Sequence, residues 1–256
     1  MDIALMNSKI FLTLIAFCLL VAPNPAPAQE MAYGMIKGTI LTEDNAPLSD
    51  AQVCFYNVNS GPPPFRGEYW RLCQYVSQTG EDGSFAERLQ TGEYYIMATR
   101  KASGERPGPP VEAGDMTWPA FDGRESQTYL ITEEGPTDIG IIPGAVPFKA
   151  EWLPKGTTAI EGRVLLQDST PAEGVLVLAS GDPKVRDLVF VSDKRTGTDG
   201  KYIVRVAEDG VYYINAKGSE KPIEKAVVHL GKTTKGIDIR VKENPGRRWD
   251  KPRKDK

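Results

Sequence analysis

Apolar and polar residues alternate in short bursts along most of this chain. In KYIVRVA (201–207), Tyr202, Val204 and Val206 fall on one face of an extended segment, and Lys201, Ile203 and Arg205 on the other. That period of two is the signature of a half-buried strand. MIKGTIL (35–41), AQVCFYNV (51–58), RLCQYVSQT (71–79), SFAERL (84–89) and EYYIMATR (93–100) are of the same kind, β-branched or aromatic and bounded by Pro, Asn, Asp and Gly. A second series follows: AIEGRVLL (159–166), GVLVLAS (174–180), DLVFVSD (187–193), KYIVRVA, VYYINAKG (211–218), KAVVHLG (225–231) and KGIDIRVK (235–242). Helical periodicity is almost absent. The pattern predicts an all-β protein with about seven strands in each series, the number expected of a β-sandwich.

The two series are copies of one pattern. IKGTILTEDNAPLSDAQVCFY (36–56) lies over IEGRVLLQDSTPAEGVLVLAS (160–180) without a gap, matching Gly38 with Gly162, Pro47 with Pro171 and Val53 with Val177. TGEDGSF (79–85) then matches TGTDGKY (196–202), and both copies continue into Gly-x-Tyr-Tyr-Ile, at 92–96 and 210–214. TDIGII (137–142) resembles KGIDIRV (235–241) near the end of each. Matches in the same order predict two tandem sandwiches, at 33–145 and 158–243, joined by a linker at 146–157. The shared Asp-Gly reads as a hairpin corner between strands. A calcium loop needs alternating oxygen ligands and a distant Glu, which neither copy supplies.

The order strand, Gly, strand, then P-[LA]-x-[DG]-[AV]-x-V, T-G-x-D-G-x-[FY] and G-x-Y-Y-I-x-A resembles the carboxypeptidase regulatory-like domain, a transthyretin-like (prealbumin-type) β-sandwich family. The likeness covers 33–145 and 158–243. It implies an accessory or surface module and supplies no catalytic residues. Related adhesin sandwiches can form an internal Lys–Asn bond. Here Lys37 has Glu161 as its counterpart and the last strands lack Asn, so no such bond is expected.

Composition narrows the chemistry. The chain has 256 residues and a formal net charge of −3, which gives no electrostatic reason to expect nucleic-acid binding. Its one histidine, His229, sits in the strand-like KAVVHLG. One histidine cannot assemble a metallocarboxypeptidase zinc site, the iron set of intradiol dioxygenases or the histidines of a hydroxyisourate hydrolase. No nucleophile elbow, Walker loop, dinucleotide fingerprint or haem motif occurs. The expectation is a non-enzymatic protein with no catalytic residues, no metal and no cofactor.

The N-terminus reads as a secretory signal peptide over 1–28. Lys9 precedes the apolar run 10–22, and Ala26 and Ala28 form an A-x-A site with cleavage before Gln29. Asp2 is unusual in such a segment, so Met6 is an alternative start. A lipoprotein signal at Cys18 is a competing reading, disfavoured by the bulk of Phe17. An exported protein, periplasmic or at the cell surface, follows, with no transmembrane segment. Export leaves Cys54 and Cys73, and two cysteines in an oxidising compartment are expected to form a structural disulfide. On the chain-entropy account it contributes roughly 3 kcal/mol. Counted back from the shared Thr-Gly, Cys73 aligns with Phe190.

The copies differ in two insertions, both in the first. One lies within NVNSGPPPFRGEYWRLC (57–73) and carries Phe65, Arg66, Tyr69 and Trp70, with Arg71 beside them. The other, 101–129, carries Trp118 and Phe121. Aromatic residues on Pro/Gly-rich loops can bind a sugar or an envelope protein, or can cover the junction between the sandwiches; both readings stand on sequence alone. The basic segment 244–256 reads as a disordered tail able to touch an anionic surface. The combined expectation is a binding or interaction module of the cell envelope whose specificity lies in the first copy's loops. A carbohydrate-binding module, or an accessory subunit of an envelope enzyme, is the alternative.

Overall fold

Strands begin at Tyr33 and end at Val241, following the two series closely. In the computed structural model, residues 31–64, 68–104, 108–118, 127–149, 158–184, 188–217 and 224–244 are described. The segment expected to be a signal peptide (1–28), Phe65, Arg66, Phe121, most of the expected linker and the expected tail beyond Asn244 lie outside them. The first half contains β1 (Tyr33–Thr42), β2 (Gln52–Asn57), β3 (Trp70–Arg71), β4 (Tyr75–Gln78), β5 (Ser84–Gln90), β6 (Gly92–Arg100), β7 (Met116–Trp118), β8 (Thr128–Ile131) and β9 (Thr137–Pro147). The second contains β10 (Ala159–Leu166), β11 (Val177–Ser180), β12 (Phe190–Val191), β13 (Lys201–Arg205), β14 (Gly210–Ala216), β15 (Glu224–Val228), β16 (Thr233–Thr234) and β17 (Ile239–Val241). β9 runs past the end expected for the first sandwich, to Pro147, and the buried Phe148 follows it.

The halves are wired alike. β1 pairs antiparallel with β5 and parallel with β9; β10 pairs antiparallel with β13 and parallel with β16 and β17. β2 lies between β4 and β6, and β11 between β12 and β14. Gly38 and Gly162 match for a reason of space. A Cβ at Gly162 would sit 1.8 Å from the Ile237 carbonyl oxygen, and one at Gly38 would sit 2.6 Å from the Ile139 side chain. The neighbouring parallel segment therefore passes too close for any side chain. β3 and β7 have no counterparts in the second half, and each lies in an insertion.

The Asp-Gly turns are built alike too. Gly83 and Gly200 have φ of 76° and 70°, in the left-handed region that glycine enters at little cost. Asp82 accepts from the Ser84 N–H at 3.0 Å, and Asp199 from the Lys201 N–H at 3.1 Å. The Ser84 hydroxyl at 2.7 Å and the Lys201 ammonium at 2.9 Å, more than these backbone bonds, favour the charged carboxylates and hold both below the ordinary range. The first turn is a corner rather than a hairpin. β4 pairs with β2 and β5 with β1, at opposite ends of one sheet path, so the turn carries the chain between sheet edges.

Burial divides into three clusters. Ile36, Ile40, Phe55, Phe85, Leu89 and Tyr94 anchor the first. Ile160, Val164, Val177, Phe190, Tyr202 and Tyr212 anchor the second. The third joins side chains from both halves: Tyr56, Trp70, Met97 and Phe148 meet Leu176, Leu178, Val189 and Val191. The whole of Ala32–Lys256 accordingly groups as one compact unit.

Candidate functional site: the insertions and the junction they build

The first insertion crosses to the other half. β2 ends in a short 3-10 turn (Val58–Ser60), where the Asn57 side chain accepts from the Asn59 N–H at 2.9 Å. The chain then returns as β3, which adds antiparallel to β12, Trp70 opposite Val191 and Arg71 opposite Phe190. The Leu72 N–H donates to the Val189 carbonyl at 2.7 Å. The second half's sheet thus runs β15-β14-β11-β12-β3, its last strand supplied by the first half.

Tyr69 and Trp70, the described aromatic residues of this insertion, are buried. Tyr69 is 7% exposed and packs edge-on against Phe190, with ring centroids 5.6 Å apart; burial pushes its hydroxyl up to about 12. Trp70 is 4% exposed and meets Phe148 edge-on at 5.7 Å. Arg71 is buried, its guanidinium 5.1 Å from the Tyr56 ring centroid. It donates to the carbonyls of Ser60 (3.2 Å), Gly61 (3.1 Å) and Asn57 (3.4 Å), so a side chain closes the loop it belongs to. Burial lowers the Arg71 pKa and raises that of Tyr56. Of the two readings of Tyr69 and Trp70, contact with a sugar or partner and cover over the junction, their burial fits the second: Tyr69 lies in the core of the second half and Trp70 in the junction cluster.

The disulfide forms, Cys54 to Cys73. Both sulfurs pack against the junction cluster, so the bond ties the end of the donated segment back to β2. The expected match of Cys73 with Phe190 needs correction. Tyr75 pairs with Phe55, and Phe190 with Ala179, the residue matching Phe55 in the repeat. Tyr75 also packs on Tyr94 at 6.0 Å, as Phe190 packs on Tyr212 at 6.0 Å. Tyr75 is therefore the counterpart of Phe190 and Val76 that of Val191. The route from this strand to the Thr-Gly is shorter in the first half, which displaced the count.

The second insertion is held by a buried carboxylate. Asp115 accepts from the Lys101 ammonium at 2.8 Å, the Ala102 N–H at 3.0 Å and the Glu112 N–H at 2.9 Å. Lys101 also donates to the Pro110 carbonyl. Asp115 and Gly114 exchange backbone bonds with Phe148 at 2.7 and 2.8 Å, setting Phe148 under Trp70. β7 then bridges β6 and β9. Its Trp118, opposite Ala98, is half-buried against the first core and takes no part in the cluster that holds Trp70. The two insertions therefore do not bring Trp70 and Trp118 together as one aromatic platform.

Other singled-out residues are peripheral. His229 is exposed just beyond β15, its carbonyl closing a turn to Lys232. Lys37 pairs with Asp138 at 3.0 Å. Its counterpart Glu161 pairs with Lys235 at 3.7 Å, the same contact with the charges exchanged. Among the described residues no group of three or more His, Cys, Asp or Glu side chains is gathered as a metal site, and no helix is long and apolar enough to cross a membrane.

No family model matches the chain, and no curated protein matches it; the carboxypeptidase regulatory-like resemblance therefore rests on its motifs. Solved structures give distant likenesses. The Bacillus anthracis TIE protein is 16% identical over 82% of this chain and 34% of its own, with a TM-score of 0.28. A streptococcal ancillary pilin is 15% identical over 83% of this chain and 64% of its own, TM-score 0.25. GBS52, the minor pilin of Streptococcus agalactiae, is 14% identical over 83% of this chain and 98% of its own, TM-score 0.24. At these TM-scores the superpositions carry no weight for function. This chain spans about a third of the first protein and just under two thirds of the second.

Proposed function

We propose that this chain is an exported, non-enzymatic interaction module of the cell envelope, made of two tandem carboxypeptidase regulatory-like sandwiches locked into one body. The strand β3 of the first half on β12 of the second is the observation that carries the reading. Two sandwiches joined through a shared sheet and a mixed apolar core, the donated strand tied back to β2 by a disulfide, hold a fixed spacing. A module that presents surfaces to a partner needs that rigidity, and a flexible tether would not give it. In this reading Tyr69 and Trp70 lock the halves. Trp118, together with Phe65, Arg66 and Phe121, remains for partner contact. The sugar-platform alternative, which rested on Trp70, Trp118 and the neighbouring aromatics, loses Trp70 to burial. The basic tail retains its assigned contact with an anionic surface.

Site-specific photo-crosslinking in intact cells tests this, with the crosslinker placed at Phe65, Arg66 and Phe121. Discrete adducts from at least one position, on a chain whose mass starts at Gln29, are expected. A correctly exported chain without adducts at any of them would remove the interaction reading.

A further inference from the structure

The structural repeat leaves one edge sealed and the matching edge open. In the second half, β3 covers β12, and Phe190 and Val191 are 0% and 1% exposed. Their counterparts Tyr75 and Val76 lie on β4, the terminal strand of its sheet path among the described residues. Tyr75 is half-buried and Val76 is 51% exposed. An exposed valine on an unpaired edge is a feature that proteins ordinarily guard against with charge, proline or a covering segment. Here the edge strand reads Tyr-Val-Ser-Gln; its Ser77 hydroxyl donates to the Ala86 carbonyl of β5 at 3.1 Å, while Val76 has neither charge, proline nor a paired strand over it among the described residues.

Next to this edge lies a groove of about 1080 Å³, lined by Gln52, Val76, Ser77, Gln78, Arg100 and Lys101 among others. It continues the surface on which the halves already meet. Cys54, which packs against the junction cluster, lies opposite Val76 across the β2–β4 ladder. In the second half the corresponding ground over Val191 is filled by Trp70.

We propose that the free edge of β4 at Tyr75 and Val76 accepts an extended peptide segment of a partner protein, added antiparallel, with a bulky apolar residue opposite Val76 and, one residue earlier, an aromatic residue against the Tyr75 ring. The molecule contains its own template for this complex. On β12, Trp70 stands opposite Val191, and Tyr69, one residue earlier, leans on the ring of Phe190. Tyr75 offers the same aromatic edge, already braced by Tyr94. Backbone pairing supplies the affinity of such a strand addition, and the alternating side-chain pockets supply its specificity. The inference rests on the interaction-module reading and assigns it one surface.

The probe is a fluorescein-labelled peptide of residues 67–72 (GEYWRL), titrated into the mature full chain and followed by anisotropy. Saturable binding below about 1 mM is expected, with slower amide exchange over Tyr75–Ser77. Val76→Lys should weaken it by about tenfold or more while leaving the melting temperature unchanged, since Val76 is exposed. A peptide with both aromatic residues replaced by serine should not bind. Three results overturn the proposal: no saturation at about 1 mM, undiminished binding to Val76→Lys, or a Val76-dependent dimer of the chain without peptide. The second would mean that the peptide displaces β3 from β12, and the third that a second copy occupies the edge. None of these would erase crosslinked adducts at Phe65, Arg66 or Phe121, so the two readings fail separately.

Discussion

Trp70→Ala separates a junction residue from a ligand-contact residue. An indole in a folded interior removes about 150–250 Å² from water. At about 25 cal/mol per Å² this corresponds to about 4–6 kcal/mol, an upper bound because unfolded chains already hide part of that surface. The structure leaves Trp70 only 4% exposed and adds the edge-on contact with Phe148. The expected loss is therefore about 3–5 kcal/mol, the usual range for burying nothing where an aromatic side chain stood. The assay is guanidinium unfolding followed by circular dichroism, with hydrogen exchange mapped on the same protein. Exchange should quicken first in β3 and β12, whose pairing Trp70 covers, while β1 and β5 stay protected. Trp118→Ala, at a half-buried position against the first core, should cost less and leave β12 protected. A loss under about 1 kcal/mol for Trp70→Ala, a surface value, would refute the argument. Trp70 would then be an exposed contact residue and β3 would not be part of the second sheet.

Three further outcomes follow from the contacts around it. Cys54→Ser with Cys73→Ser should cost about 3 kcal/mol on the loop-entropy account, read from the denaturation midpoint, and should raise exchange in β3 more than in β5. Asp115→Ala leaves the buried Lys101 with only the exposed Glu112 at 3.7 Å and frees the backbone that sets Phe148; about 3 kcal/mol is expected, measured by urea unfolding. Asp193 is pushed up to about 6 by burial, which outweighs its 2.8 Å bond to Arg205. Its folded pKa lies above the unfolded value near 4. Its contribution to stability is therefore complete below about pH 4 and is lost as pH rises through about 6. Asp193→Asn should flatten the stability–pH curve between those values, and an unchanged slope would count against the assignment.

Much of the fold could be read from period-two alternation and from paired glycines. The junction was written less openly, yet one signal was present. GVLVLAS does not alternate: Leu176 and Leu178 are apolar as well as Val175, Val177 and Ala179. A strand apolar on both faces is covered on both faces, and the structure places the odd and even residues in different clusters. Phe148 carried no such signal, because it follows a strand end and is buried by backbone bonds to Gly114 and Asp115. The destination of Tyr69 and Trp70 was also hidden. A short strand that adds to a distant sheet leaves no periodicity of its own, and its composition matches that of a binding loop. Both need large, stiff amphipathic side chains.

This ambiguity has a physical origin in the repeat itself. Two copies of one sandwich begin with the same edge strand exposed, and an exposed edge invites pairing. An insertion in the first copy reaches the edge of the second, because it lies within reach along the shared junction. It is already engaged on β12, and Cys54–Cys73 with the Arg71 bonds to Asn57, Ser60 and Gly61 holds it at the end of β2, so it does not cover the β4 edge of its own copy. The asymmetry between Val191 and Val76 then follows from the connectivity alone. The same bonds that make the two halves one body leave the β4 edge as the position where the molecule's own mode of association remains to be used by another chain.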